Sequence, residues 1–127
     1  MLIADDNVGA AEMLALVVEA AGHQVRLAAD GAEAVRVADG FRPEIILMDL
    51  GMPRMDGYEA ARQIRSRPWG SKVELVALSG WGQPEDKRRS REAGFDAHLV
   101  KPAEPEAINR LLASGRADVL NPAGSDR

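Results

Sequence analysis

Five short apolar runs, at 1–4, 24–28, 44–49, 73–78 and 97–100, alternate with longer segments whose apolar residues recur at helical spacing. That β/α alternation leaves few folds open to the chain. The run Glu44-Ile45-Ile46-Leu47-Met48 is apolar without a period of two, the pattern of a central parallel strand covered by helices on both faces. An α/β fold with a doubly wound parallel sheet follows. Helices are expected near 8–21, 31–39, 57–66, 84–93 and 104–113. Gly22, Gly40 and Gly94 each follow such a segment, where a left-handed helix end favours glycine. Asp30 with Glu33 fits a capping box, and Pro84 and Pro105, each followed by acids, suit first turns. Residues 1–113 read as one domain. Residues 114–127, with Gly115, Pro122, Gly124 and Ser125, lack periodicity and read as a flexible tail or linker.

At 127 residues the chain has a common single-domain size. With 46% hydrophobic and 28% charged residues it is expected to fold alone. It contains no cysteine, which excludes disulfides, thiolate metal sites and a cysteine nucleophile. No apolar stretch approaches the ~20 residues that span a bilayer, and the N-terminus does not read as a signal peptide. A cytoplasmic protein without a membrane partner is expected. The net charge of -4 argues against a nucleic-acid partner. The run Lys87-Arg88-Arg89-Ser90-Arg91 is flanked by Glu85, Asp86 and Glu92, so it reads as a solvated or partner-facing helix surface.

In an open parallel sheet, function gathers beyond the carboxyl ends of the strands. Polar residues close four of the five runs: Asp5 and Asp6, Asp49, Ser79, and Lys101. The run at 24–28 ends in Ala28-Ala29 instead, which suits an edge strand remote from the site. Two carboxylates ~4 Å apart at an effective dielectric of ~20 repel by roughly 4 kcal/mol, so the three acids call for a cation. Hard oxygen ligands without nearby histidine or cysteine match Mg2+ better than other metals. A metal, an ammonium and a hydroxyl around a carboxylate are the parts of phosphoryl transfer through an aspartyl phosphate. Asp49 is the best nucleophile because it ends the most apolar run and precedes the Gly51-Met52-Pro53 turn, whose backbone carbonyl suits the metal. Lys101 would pair with Asp49, and then with the phosphoryl group.

Taken jointly, Asp5-Asp6, Asp49 with Met52-Pro53 and Asp56-Gly57, Ser79, and Lys101-Pro102 resemble the receiver domain of two-component response regulators. The resemblance covers about residues 1–113. It implies a flavodoxin-like (βα)5 sheet of order 2-1-3-4-5, with Asp49 taking phosphate from the phosphohistidine of a histidine kinase or phosphotransfer protein. It also implies that Asp6, Asp49 and the Gly51 carbonyl bind Mg2+, with Asp5 assisting through water, and that Ser79 hydrogen-bonds the phosphoryl group. The segment 84–113 would carry the face that a downstream protein partner reads. Gln83-Pro84-Glu85-Asp86 together with the segment from Gly94 to Pro102 is similar to the carboxyl-terminal receivers of hybrid histidine kinases.

Three positions depart from the common pattern. Many receivers place tyrosine or phenylalanine three residues before the lysine, and His98 stands there instead, a candidate switch with Ser79. Gly51 offers no side chain two residues after Asp49, and Trp81 is bulky two residues after Ser79, so both bear on phosphoryl lifetime. From the residues alone, Asp5-Asp6 also fits helix N-capping, Asp56-Gly57 fits a cap or turn, and Trp69, Tyr58 and His23 read as local packing or turn residues. A magnesium phosphohydrolase is a competing reading, but such enzymes usually carry a second acid two residues after the nucleophile, where this chain has Gly51. An unphosphorylated scaffold receiver is another.

Overall fold

The structure, a computed structural model, describes residues 1–52, 55–80, 84–101 and 104–114, and of residues 84–86 and 114 the backbone only. The strands are β1 (Leu2–Ala4), β2 (Arg26–Ala28), β3 (Ile45–Asp49), β4 (Glu74–Ser79) and β5 (Ala97–Val100). Between and after them run α1 (Val8–Ala20), α2 (Gly31–Phe41), α3 (Gly57–Arg65), α4 (Pro84–Ala93) and α5 (Pro105–Ser114). A short 3-10 turn at Gly70–Lys72, which the periodicity does not announce, precedes β4. The five strands form one parallel sheet of order β2-β1-β3-β4-β5. This is the expected flavodoxin-like doubly wound sheet, with β2 at an edge. No helix among the described residues is long and apolar enough to cross a membrane.

The apolar runs explain the layering, because successive side chains on a strand face opposite sides. Leu2, Ala4, Ile46, Met48, Leu75 and Ala77 pack on one side with Ala34, Val35 and Ala38 of α2 and Ala60, Ala61 and Ile64 of α3. Ile3, Leu47, Val76 and Leu78 face the other side, against Ala11, Ala15 and Val18 of α1 and Ile108 and Leu111 of α5. Fully burying each large aliphatic side chain is worth about 1.5–3 kcal/mol, so the sheet is held from both faces.

Helix ends follow the local chemistry with one correction. Gly22 (φ 92°) and Gly94 (φ 108°) are left-handed beyond α1 and α4. Gly40 is not such an end: α2 runs on to Phe41, and Arg42 takes the left-handed position at φ 51°. Arg42 offsets that conformation by donating from Nε to the Asp39 carbonyl at 2.9 Å and placing its guanidinium 5.2 Å from the Trp69 ring centroid. Asp30 caps α2 by accepting from the Glu33 N–H at 2.8 Å, and Glu33 reaches back to the Ala29 N–H at 2.6 Å. Pro53, Trp81, Gln83, Pro102 and the expected tail beyond Ser114 lie outside the described residues.

Candidate functional site

The parallel register brings the strand ends level. Asp49 is paired with Leu78 and Ser79 with Val100. The pairing continues past the strands, with the Lys101 N–H donating to the Ser79 carbonyl at 2.7 Å and the Asp5 N–H to the Ala28 carbonyl at 2.9 Å. Asp5, Asp49 and Ser79 are consequently buried at this edge. Asp6 is exposed beside them.

The cap of α1 is Asn7, whose side chain accepts from the Ala10 N–H at 3.0 Å. This removes the capping role that the sequence allows Asp5 and Asp6. Asp5 Oδ1 instead accepts from the Asn7 N–H at 2.9 Å. One carboxylate oxygen from each of Asp5, Asp6 and Asp49 lies within 4.8 Å of the others. Lys101 Nζ is 3.0 Å from Asp49 Oδ2 and 3.4 Å from Asp5 Oδ2. Burial, the largest influence, raises the Asp5 pKa above its ordinary value; the Asn7 N–H pulls it down, the Asp49 charge pushes it up, and Lys101 pulls it down again. For Lys101, burial works to lower the pKa, but the hydrogen bond and charge of Asp49, with those of Asp5, outweigh it and hold the ammonium above its ordinary value.

Three all-oxygen donors, two of them buried and only partly offset by one lysine, fit a small hard cation such as Mg2+ and offer nothing to a softer metal.

Asp49 Oδ1 accepts from the Gly51 N–H at 3.1 Å, so the turn after β3 already orients the carboxylate. A Cβ on Gly51 would meet nothing within 4 Å among the described residues. Asp56 is the cap of α3, accepting from the Glu59 N–H at 3.0 Å, and is not one of the clustered acids. Gly57 follows because α3 starts against the strand end: a Cβ there would lie 2.6 Å from the Asp49 carbonyl oxygen and 2.9 Å from Leu50 Cα. Gly57→Ala is expected to cost about 1–3 kcal/mol, as in other overpacked sites, read as a lower urea midpoint. An unchanged midpoint would contradict the close approach.

Ser79 Oγ lies 2.7 Å from His98 Nε2, and His98 Nδ1 lies 3.3 Å from Ser90 Oγ on α4. The sequence points to Ser79 and His98 but not to Ser90. A lone small residue inside the run Lys87 to Arg91 was the available signal, since Ser90 is buried where its charged neighbours are exposed. Tyr58 is buried with the Arg89 guanidinium 4.2 Å from its ring centroid, and Trp69 packs against the core, as local packing requires. A second feature not anticipated lies on α1, where Val8, Met13 and Leu16 are 59%, 68% and 65% exposed. A cavity of about 400 Å³ lined by Met13, Leu14, Ala10, Asn7, Leu78, Asp5 and Lys101 joins that face to the carboxylates.

Comparison with known proteins decides what this edge belongs to. The sequence matches the response regulator receiver domain over residues 1–113. The chain belongs to that family. It is 40% identical over 101 residues to the gliding motility regulatory protein of Myxococcus xanthus, covering 80% of this chain and 13% of that protein. With the response regulator MprA of Mycobacterium sp. (strain KMS) it shares 34% identity over 117 residues, covering 92% of this chain and 49% of that protein. The crystal structure of the receiver domain of sensor histidine kinase PA1611 from Pseudomonas aeruginosa PAO1, with a magnesium ion coordinated in its active site cleft, superposes with a TM-score of 0.82. That receiver is 34% identical, over 89% of this chain and 93% of its own. The chain thus spans half or less of the length of these two curated relatives and nearly all of an isolated receiver. It is a phosphoacceptor receiver domain of two-component signalling, not a member of a classical enzyme family, which sets the phosphohydrolase reading aside.

Proposed function

We propose that Asp49 is the phosphoacceptor of this receiver, served by Lys101 and Ser79, with Asp5, Asp6, Asp49 and the Gly51 carbonyl holding Mg2+. The observation that carries the assignment is the Lys101 ammonium bridging two buried carboxylates, 3.0 Å from Asp49 and 3.4 Å from Asp5. A carboxylate oxygen of Asp49 attacks the phosphorus of a donor phosphohistidine; the O–P bond forms as the N–P bond breaks, and the departing imidazole takes up a proton from water. The Gly51 N–H holds the Asp49 carboxylate in place for that attack. Lys101 is then positioned to exchange its contact with Asp49 for one with a phosphoryl oxygen, and Ser79 to donate its hydroxyl hydrogen to another. When bound, the ion neutralises charge that builds on the phosphoryl oxygens.

The donor is a histidine kinase or a phosphotransfer protein of the cytoplasm. Its docking is supported by the exposed Met13 and Leu16 beside the acceptor. A downstream protein partner reads the 84–113 face, where Lys87, Arg88, Arg89 and Arg91 are exposed on α4 and Val100 is 46% exposed at the end of β5. The test is incubation with acetyl phosphate and magnesium followed by intact mass. Wild type is expected to gain one phosphoryl group and Asp49→Asn none. Equal labelling of Asp49→Asn, or no labelling of wild type, would overturn the assignment.

A further inference from the structure

β2 is an edge strand, with β1 as its single neighbour in the sheet. In a parallel pair, alternate residues turn their backbone groups toward the neighbouring strand. Here those residues are Arg26, whose N–H donates to the Met1 carbonyl at 3.0 Å, and Ala28, whose carbonyl accepts from the Asp5 N–H at 2.9 Å. The N–H and carbonyl of Leu27 between them therefore face outward, without a partner among the described residues.

Beside that open donor and acceptor lies a groove of about 460 Å³ between α1 and β2, lined by Ala15, Leu16, Val25, Leu27, Glu12 and Glu19. Leu16 is 65% and Leu27 40% exposed, so the floor of the groove is apolar and open to water. Glu12 and Glu19 are the only charged residues of α1, and a spacing of seven puts them on one stripe, two turns apart, with Leu16 between them. No ion pair among the described residues holds either acid. Arg26 points to the other face of the sheet, over the Phe41 ring at 4.9 Å.

Together these features select an occupant. A helix spends its backbone groups on its own ladder and has none for Leu27, whereas an extended segment can bond to both of them. The acids call for positive charge on each side of whatever covers the apolar floor. We propose that the free edge of β2 is a docking site for an extended segment of a basic partner protein, added as a further strand, with a large aliphatic residue over Leu16 and Leu27 and a lysine or arginine two residues to either side, paired with Glu12 and Glu19.

Side chains on one face of a strand recur every ~6.8 Å, which sets the two cations ~13 Å apart. Glu12 and Glu19 are separated by ~10.5 Å along α1, and the long stems of lysine or arginine absorb the difference. Basic-x-aliphatic-x-basic reads alike in both directions, so the pattern suits parallel and antiparallel addition. A second copy of this chain does not suit the groove. Two β2 edges paired about a two-fold axis would put both α1 helices on one side of the joined sheet, with Glu12 and Glu19 of one copy facing those of the other. The groove also lies across α1 from Ala10, Met13 and Leu14, which line the cavity beside Asp5 and Lys101. A segment docked there leaves Asp49 uncovered, and the site does not depend on the acceptor assignment.

The test is amide NMR of the whole chain titrated with the end-capped peptide Thr-Lys-Thr-Leu-Thr-Lys-Thr, which presents both lysines and the leucine on one face. Binding at about millimolar strength is expected, with the Leu27 amide moving downfield. Near saturation its hydrogen exchange should slow by about fivefold or more. Thr-Glu-Thr-Leu-Thr-Glu-Thr is expected to bind about tenfold more weakly or worse. Glu12→Lys combined with Glu19→Lys changes two exposed residues only, and it should reverse the preference between the peptides. No shifts at about 5 mM peptide, shifts that leave the Leu27 amide unmoved, or equal affinity for the two peptides overturns the proposal. So does protection of the Leu27 amide on concentrating the free protein, which would make a second copy the occupant.

Discussion

Asp5→Asn is expected to raise the stability of the metal-free domain by about 1 kcal/mol at neutral pH while weakening magnesium binding roughly 10–100-fold. The two effects have one cause. Asp5 is buried next to another carboxylate, and burial first, then the Asp49 charge, holds its pKa above the ordinary value against the Asn7 N–H and Lys101. A raised carboxyl pKa means that the folded state resists ionisation. As pH rises past the unfolded value, about 4 for aspartate, the unfolded chain ionises first and wild type loses stability. The loss is complete once the folded group has also ionised. Below that window the carboxyl is neutral in both states and nothing is lost. The advantage of Asp5→Asn should therefore grow as pH rises above about 4 and be absent below it. Asparagine keeps the Asn7 contact, because its amide oxygen accepts the same N–H. Lys101 loses only its longer partner and keeps Asp49 at 3.0 Å. Urea unfolding at several pH values, with calorimetric magnesium titration at neutral pH, measures both. A variant less stable than wild type, or one with equal magnesium affinity, contradicts the account.

The residues that gather at this edge could be located from sequence because topology does most of the placing. Once the short apolar runs are parallel strands, their last residues must share one end of the sheet, and Asp5, Asp49, Ser79 and Lys101 sit there by position in the chain. Helix ends at Gly22 and Gly94 are equally local, since a left-handed backbone selects glycine within a few residues. Gly40 misleads for a physical reason. The rule weighs only the backbone, while contacts of Arg42 with Asp39 and Trp69 let a non-glycine residue carry the left-handed angle two residues later. The contacts of His98 with Ser79 and Ser90 join residues 19 and 8 positions apart, and no period in the sequence encodes them. The exposed apolar residues of α1 were hidden differently. A helix apolar on both faces reads as buried, and only the solved packing shows that Ala11, Ala15 and Val18 face the sheet while Met13 and Leu16 do not.

Arg65 is the largest structural element that the sequence conceals, and Arg65→Ala is expected to cost about 3–5 kcal/mol. Its guanidinium ends α3 and spans three separate segments. Nε and one terminal nitrogen donate to the Gly94 carbonyl at 2.9 and 2.7 Å, and the other donates to Gly70 and Val73 carbonyls, both at 2.7 Å. A further bond of 2.9 Å reaches Asp96, whose same carboxylate oxygen accepts the Leu75 N–H at 2.9 Å. The close approach is tight: a Cβ on Gly94 would sit 2.8 Å from Arg65 Cγ. Truncation strands three backbone carbonyls and the Asp96 charge at once, and it loosens the start of β4 and the turn before β5 together. Those strands carry Ser79 and lead to Lys101 at their other ends, so the site also depends on this clamp. Lysine does not replace it. An ammonium is a compact point charge without the planar fork that holds these carbonyls, and Arg65→Lys should recover less than half of the loss. For a domain of this size the alanine variant should unfold roughly 10–15 °C lower, with cooperativity retained. A lysine variant as stable as wild type would show that charge alone, and not the fork, holds the three segments.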